Sequence, residues 1–175
     1  MQGEGLSQQA SLLVSILLHY PELASVRFGP VDGQILFSFM LKEVCQEAEL
    51  EAFRRDLRQH LEAFMEITGR KAKVCKVRKV QHDRHTLIEV IRDVATLSQQ
   101  ELSLLLNLVR SRFASQLMVE GGDLWSEEDA TAQEELIDEM LEDVRILARR
   151  RELVGYRDDG RVMVFNRHSV EARKN

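Results

Sequence analysis

Apolar and polar residues recur with different periods along this chain, and each change of period marks a new element. In residues 7–20 the apolar positions Leu12, Leu13, Val14, Ile16, Leu17 and Leu18 cover most of a helical circumference. A helix of this kind is buried on more than one side. Ser7 is its expected N-cap, and Pro21 ends it because proline cannot continue a helix. Residues 25–41 switch to period two. Ile35, Phe37, Phe39 and Leu41 share one face, and Leu36, Ser38 and Met40 share the other. The turn formers of residues 29–33 precede them, so the segment predicts a β-hairpin whose second strand is covered on both sides.

Period 3.6 returns in residues 43–68, where Leu50, Phe53, Leu57, Leu61 and Phe64 form one stripe and Gly69 stands where a helix-ending glycine belongs. Residues 71–80 predict a strand, with Val74, Cys75, Val77 and Val80 set among basic residues. Residues 86–96 predict a short helix. Ser98 and Glu101 match a capping box for the next helix, which carries Leu102, Leu106, Val109, Phe113 and Leu117. Gly121 and Gly122 mark a linker. Ser126 caps a last long helix running to about Arg150, with Leu136, Met140, Val144 and Leu147 on its inner face. Residues 153–165 predict a second hairpin around the Asp159-Gly160 turn.

The predicted order is α-β-β-α-β-α-α-α-β-β. This is an α+β fold, with several amphipathic helices packed on a small, mainly antiparallel sheet of two hairpins and one further strand. Residues 1–118 make an N-terminal α+β region and residues 119–125 a linker. Residues 126–166 add a helix and hairpin sharing the same core, and residues 167–175 are a frayed tail. The two hairpins look loosely alike, a likeness that hairpin chemistry alone explains.

Composition narrows the classes. The 175 residues are 44% hydrophobic and 30% charged, ordinary globular usage that excludes collagen-like and wholly disordered chains. Cys45 and Cys75 form no CxxC and are too few for a disulfide framework, so both are expected as buried or half-buried free thiols. The apolar run of residues 12–18 is too short to span a bilayer, and the first five residues lack the basic region of a signal peptide. A cytoplasmic protein with no membrane association is expected.

Charge is laid out in blocks. The net charge is -5. Residues 70–85 hold 7 basic groups and 1 acidic group, whereas residues 119–148 hold 1 basic and 11 acidic. The basic block contains Lys71, Lys73, Lys76, Arg78, Lys79 and Arg84. Lysines on an edge strand discourage edge-to-edge pairing. The same cations could also meet the acidic face of the last helix, through Glu135, Asp138, Glu139 and Glu142, within or between chains. Contact with a phosphate backbone is a third reading. It is opposed by the acidic total and by the absence of interleaved aromatics for base stacking. Residues 134–166 resemble the helix-and-wing end of a winged-helix domain, which would make Arg157, Arg161 and Arg167 wing residues. The acidic helix before them would be repelled by DNA phosphates.

Motifs for catalysis are missing. No P-loop, dinucleotide-binding glycine pattern, nucleophile elbow or HExxH occurs. His82 and His85 are the only close histidine pair, and their basic neighbours disfavour a metal cation. Asp56 and His60 are spaced to pair on one helix face. No cofactor is expected, and catalysis is less expected than binding. Trp125 beside the glycines is an interface anchor or a staple on the last helix. The expected function is non-catalytic protein–protein interaction, with self-association, for example as a homodimer. The alternative is a nucleic-acid-binding or transcription-related module using residues 70–85 and the C-terminal hairpin.

Overall fold

The computed structural model describes residues 2–120, 126–147 and 150–166. Its elements are α1 (Gln2–His19), β1 (Ser25–Phe28), β2 (Gln34–Leu41), α2 (Glu47–Thr68), β3 (Cys75–His82), β4 (His85–Asp93), α3 (Gln99–Phe113), α4 (Glu127–Arg145), β5 (Leu153–Asp158) and β6 (Arg161–Asn166). The six strands form one antiparallel sheet in the order β3-β4-β2-β1-β5-β6. The α+β class therefore holds, with three hairpins rather than two and a single strand.

The extra strand comes from residues 86–96, which form no helix. Leu87, Val90, Ile91 and Val94 fit helical spacing, but Thr86, Ile88 and Val90 fit a strand equally well, so periodicity alone is ambiguous here. Pairing decides it. The two-residue turn Asp83-Arg84, with Asp83 at φ 57, closes a hairpin that sets His82 opposite His85. β4 then pairs with β2 over eight positions. β-branched residues suit such a central strand.

Register assigns the faces. Val26, Phe28, Ile35, Phe37, Phe39, Leu41, Ile88, Val90 and Leu153 lie on one side of the sheet and belong to the main core. Buried residues of all four helices join them, including Leu13, Leu17, Phe53, Leu106 and Leu141. The opposite face carries Leu36, Ser38, Met40, Leu87, Ile91, Tyr156, Met163 and Phe165, none of which belongs to that core. β2 is buried from both sides nonetheless, as its two apolar faces require.

Element ends differ from expectation in instructive ways. α1 begins at Gln2, so Ser7 lies inside the helix and is not its cap. α2 begins at Glu47 rather than residue 43. The Thr86 hydroxyl accepts from the Cys45 amide and donates to the Glu43 carbonyl, both at 3.0 Å, and holds this stretch in a turn. On α2, Met65 rather than Phe64 completes the buried stripe, and Gly69 ends the helix at φ 71, where a side chain would be strained. Ser98 caps α3 by accepting from the Glu101 amide. Only half of the expected capping box forms, because the Glu101 carboxylate turns to Arg92.

Ser126 caps α4 as expected, but the helix ends at Arg145, and of the expected inner residues Met140, Val144 and Leu147 pack on the core while Leu136 does not. Ile137, Leu141 and Val144 are buried, while Leu136 points outward. Packing on α1 and α3 widens the inner face, so that Ile137 and Leu141 join Val144 at its centre with Met140 and Leu147 beside them. Trp125 and the linker glycines lie outside the described residues, as do Arg149 and residues 167–175. Arg151 is tied back to α1, where Gln9 donates to its carbonyl and accepts from its amide.

Candidate interaction site beside the outer strand

β3 is an outermost strand, and this is why its side chains can alternate among so many cations. Cys75, Val77, Lys79 and Gln81 point to the helical side, and Lys76, Arg78 and Val80 to the other. Val77 alone packs against the core from this strand. Cys75 is exposed, which corrects its expected place in the strand core; an edge strand has no neighbour to cover it. Cys45, by contrast, is 1% exposed.

Two cations of β3 are engaged within the chain. Arg78 donates to Glu89, its register partner on β4, at 3.0 Å. Lys79 meets the Glu47 carboxylate at 2.9 Å, and its hydrogen bond and charge hold that carboxyl below its ordinary pKa. Arg54 of α2 donates to the Val77 carbonyl at 2.9 and 3.1 Å, occupying a backbone acceptor on this edge. Lys71, Lys73, Lys76 and Arg84 have no side-chain ion pair among the described residues.

Between α2 and β3 lies a groove of about 510 Å³. Leu57, Leu61 and Met65 line it at successive turns of α2, opposite Ala72, Cys75 and Val77. Arg54, Arg58 and Lys71 supply three basic groups against one carboxylate, Glu62. Cys75 is open to solvent on one side, yet desolvation by the surrounding protein pushes its thiol above its ordinary pKa, with Arg92 pulling the other way.

A buried ion network anchors this end of the sheet. Arg92, 1% exposed, sits on the helical side of β4 and meets both oxygens of Glu101 at 2.6 Å. It also contacts Asp93 and donates to the Val74 carbonyl and the Thr96 hydroxyl. Asp93 accepts from the Lys73 and Val74 amides at 3.0 and 2.9 Å, fixing the approach to β3. Burial disfavours the Arg92 charge, but Glu101 and Asp93 outweigh it and raise its pKa. Burial likewise pushes the Glu101 carboxyl upward against the pull of Arg92. The bidentate geometry decides between these opposed shifts in favour of the ion pair. The network is hidden in the sequence because Leu87, Val90, Ile91 and Val94 give residues 86–96 a helical spacing that leaves Arg92 unplaced. As a strand, Arg92 is in phase with Ile88 and Val90 and visibly inward.

The acidic helix lies elsewhere. α4 packs on α1 and α3, and its polar contacts run to His19, Val94 and the Gln99 amide. Asp138 accepts from that amide at 3.0 Å, so it serves the start of α3. Glu142 pairs with Arg145 on its own helix. Glu135 and Glu139 are exposed and have no ion pair among the described residues. The structure therefore does not bring the acidic helix onto β3 within one chain.

The hairpin β5–β6 is part of the six-stranded sheet, joined through β1, and not a free wing. Arg157 donates to the Leu17 and Tyr20 carbonyls at the end of α1, which removes it from the surface role expected of a wing residue. Arg161 is exposed, and Arg167 lies outside the described residues. β3 and β6 are opposite edges of the sheet, about 24 Å apart across five strand spacings. One short basic surface does not join them.

Among the described residues no three His, Cys, Asp or Glu side chains gather as metal ligands. His85 instead contacts the Lys42 carbonyl, and His60 the Asp56 carbonyl, while the Asp56 carboxylate pairs with Arg112. No helix among the described residues is long and apolar enough to cross a membrane. Compared with known proteins, the chain matches no family model, no curated protein and no solved structure.

Proposed function

We propose that this chain is a non-catalytic, cytoplasmic interaction module whose docking site is the basic edge of the sheet, centred on the α2–β3 groove. One observation carries the reading. The groove joins an apolar floor of Leu57, Leu61 and Met65 to the cations Arg58 and Lys71, neither of which has an ion partner among the described residues. Apolar surface with cations at its rim suits a protein segment presenting both apolar and acidic side chains. Strand addition along β3 is the less suited mode, because Arg54 already occupies the Val77 carbonyl.

The test compares capture from nuclease-treated native lysate by the wild-type chain and by an Arg58→Glu, Lys71→Glu variant. The reading expects proteins that bind the wild type and are lost with the variant. Equal retention by both would remove the groove from the account. Recovery of nucleic acid before nuclease treatment, with all bound protein lost after it, would favour the nucleic-acid alternative.

A further inference from the structure

We infer that the groove between α2 and β3 receives the acidic outer face of α4 from a second copy of this chain. The inference rests on the docking site proposed above and names its occupant. The chain carries both halves of the contact. One half is apolar and basic, with Leu57, Leu61 and Met65 beneath Arg58 and Lys71. The other half is apolar and acidic. Leu136 is 37% exposed on α4, with Glu139 three residues on along the same face and Glu135 and Asp143 one turn before and one turn after Glu139. A partly exposed leucine beside a row of carboxylates complements a leucine-lined groove rimmed by cations in both polarity and charge.

The two halves do not meet within one molecule, since α4 packs on α1 and α3. Their complementarity is left to be satisfied between molecules. The acids also act against their own helix. Glu135 with Glu139, and Glu139 with Asp143, are like charges four residues apart and mildly destabilise a free helix. Docking against cations reverses the sign of that effect. The mode is helix-in-groove, with Leu136 as the apolar knob. The contact joins two different surfaces. It closes a dimer where both pairs form reciprocally, and otherwise extends head to tail.

Sedimentation velocity on the full chain tests this with two charge-reversed variants. One carries Arg58→Glu and Lys71→Glu in the groove, and the other Glu135→Lys and Glu139→Lys on α4. All four positions are exposed, so the fold should tolerate them, and circular dichroism confirms it. The wild type should sediment as an assembly that dissociates with rising salt. Each variant alone should associate at least roughly tenfold more weakly, because like charges then face each other. An equimolar mixture should regain assembly, since an acidic groove now faces a lysine-bearing α4 and the reverse pair is also complementary. A wild type that stays monomeric at high concentration and low salt overturns the inference, yet leaves a foreign acidic partner in the groove to be judged by the lysate comparison. Variants that assemble as the wild type does, or a mixture that fails to recover, also overturn it.

Discussion

At the β5 end of the sheet α1 lies so close that a Cβ built on Gly155 would stand 3.0 Å from Leu17 Cδ1 and 3.2 Å from Leu13 Cβ. At the β3 end α2 stands off its strand and leaves a groove of about 510 Å³. The difference is chemical in origin. β5 offers a glycine to the approaching helix. β3 offers Cys75, Val77 and Lys79, and the two cations Arg54 and Lys79 bridge the gap where side chains do not fill it. One end is closed by packing, and the other is held by ions and left open. A surface that retains apolar floor and unpaired charge together is where a partner gains most from binding.

The largest expected effect strikes the ionic end. Arg92→Met would strand Glu101 and Asp93 in a buried site, and breaking such a network costs about 3–5 kcal/mol. Urea denaturation should show this loss, and an unchanged midpoint would mean that the network does not anchor β3. At the packed end, Gly155→Ala should cost about 1–3 kcal/mol through overpacking against Leu13 and Leu17. The same assay reads it. A cost near zero there would mean that α1 shifts away freely and that the two ends differ less than their geometry suggests.

Acid should loosen the ionic end in a defined direction. Burial alone would raise the Asp93 carboxyl, but Thr96, the Val74 amide, Arg92 and the Lys73 amide outweigh it and hold the pKa below its ordinary value. A carboxyl held low stabilises the fold while charged. That contribution is complete above the unfolded value of about 3.9 and is lost as pH falls through the lower folded value. Asp93→Asn should therefore be less stable than wild type at pH 7, with the gap narrowing toward pH 3. A gap independent of pH would contradict this role. The smallest expected effect is Lys71→Glu, which should shift stability by no more than about 0.5 kcal/mol while weakening association.

Much of this architecture is legible in the residues. The alternation of residues 35–41, the Asp159-Gly160 turn and the Ser98 and Ser126 caps each follow from local chemistry. The strand at 85–93 was not legible as one, because Leu87, Val90 and Ile91 satisfy either period and only pairing with β2 breaks the tie. The inner face of α4 is wider than one stripe for a similar reason: Ile137 and Leu141 share helical spacing with the expected Val144, and only tertiary packing shows that they are fully buried and Leu136 is not. Of the candidate site, the cations of β3 were visible as a charge block. The groove was not. Leu57, Leu61 and Met65 read as an ordinary core stripe, and no periodicity reveals that their strand stands back from them.

Cys75 offers the most direct measurement of whether the groove is covered in solution. It lines the groove and is exposed, whereas Cys45 is buried and serves as an internal reference. The rate of Cys75 alkylation is followed as wild-type concentration is raised, with the Arg58→Glu, Lys71→Glu variant in parallel. Cys75 should become progressively protected in the wild type and not in the variant. A wild-type rate that stays constant from dilute to concentrated protein would contradict docking of a second copy in the groove.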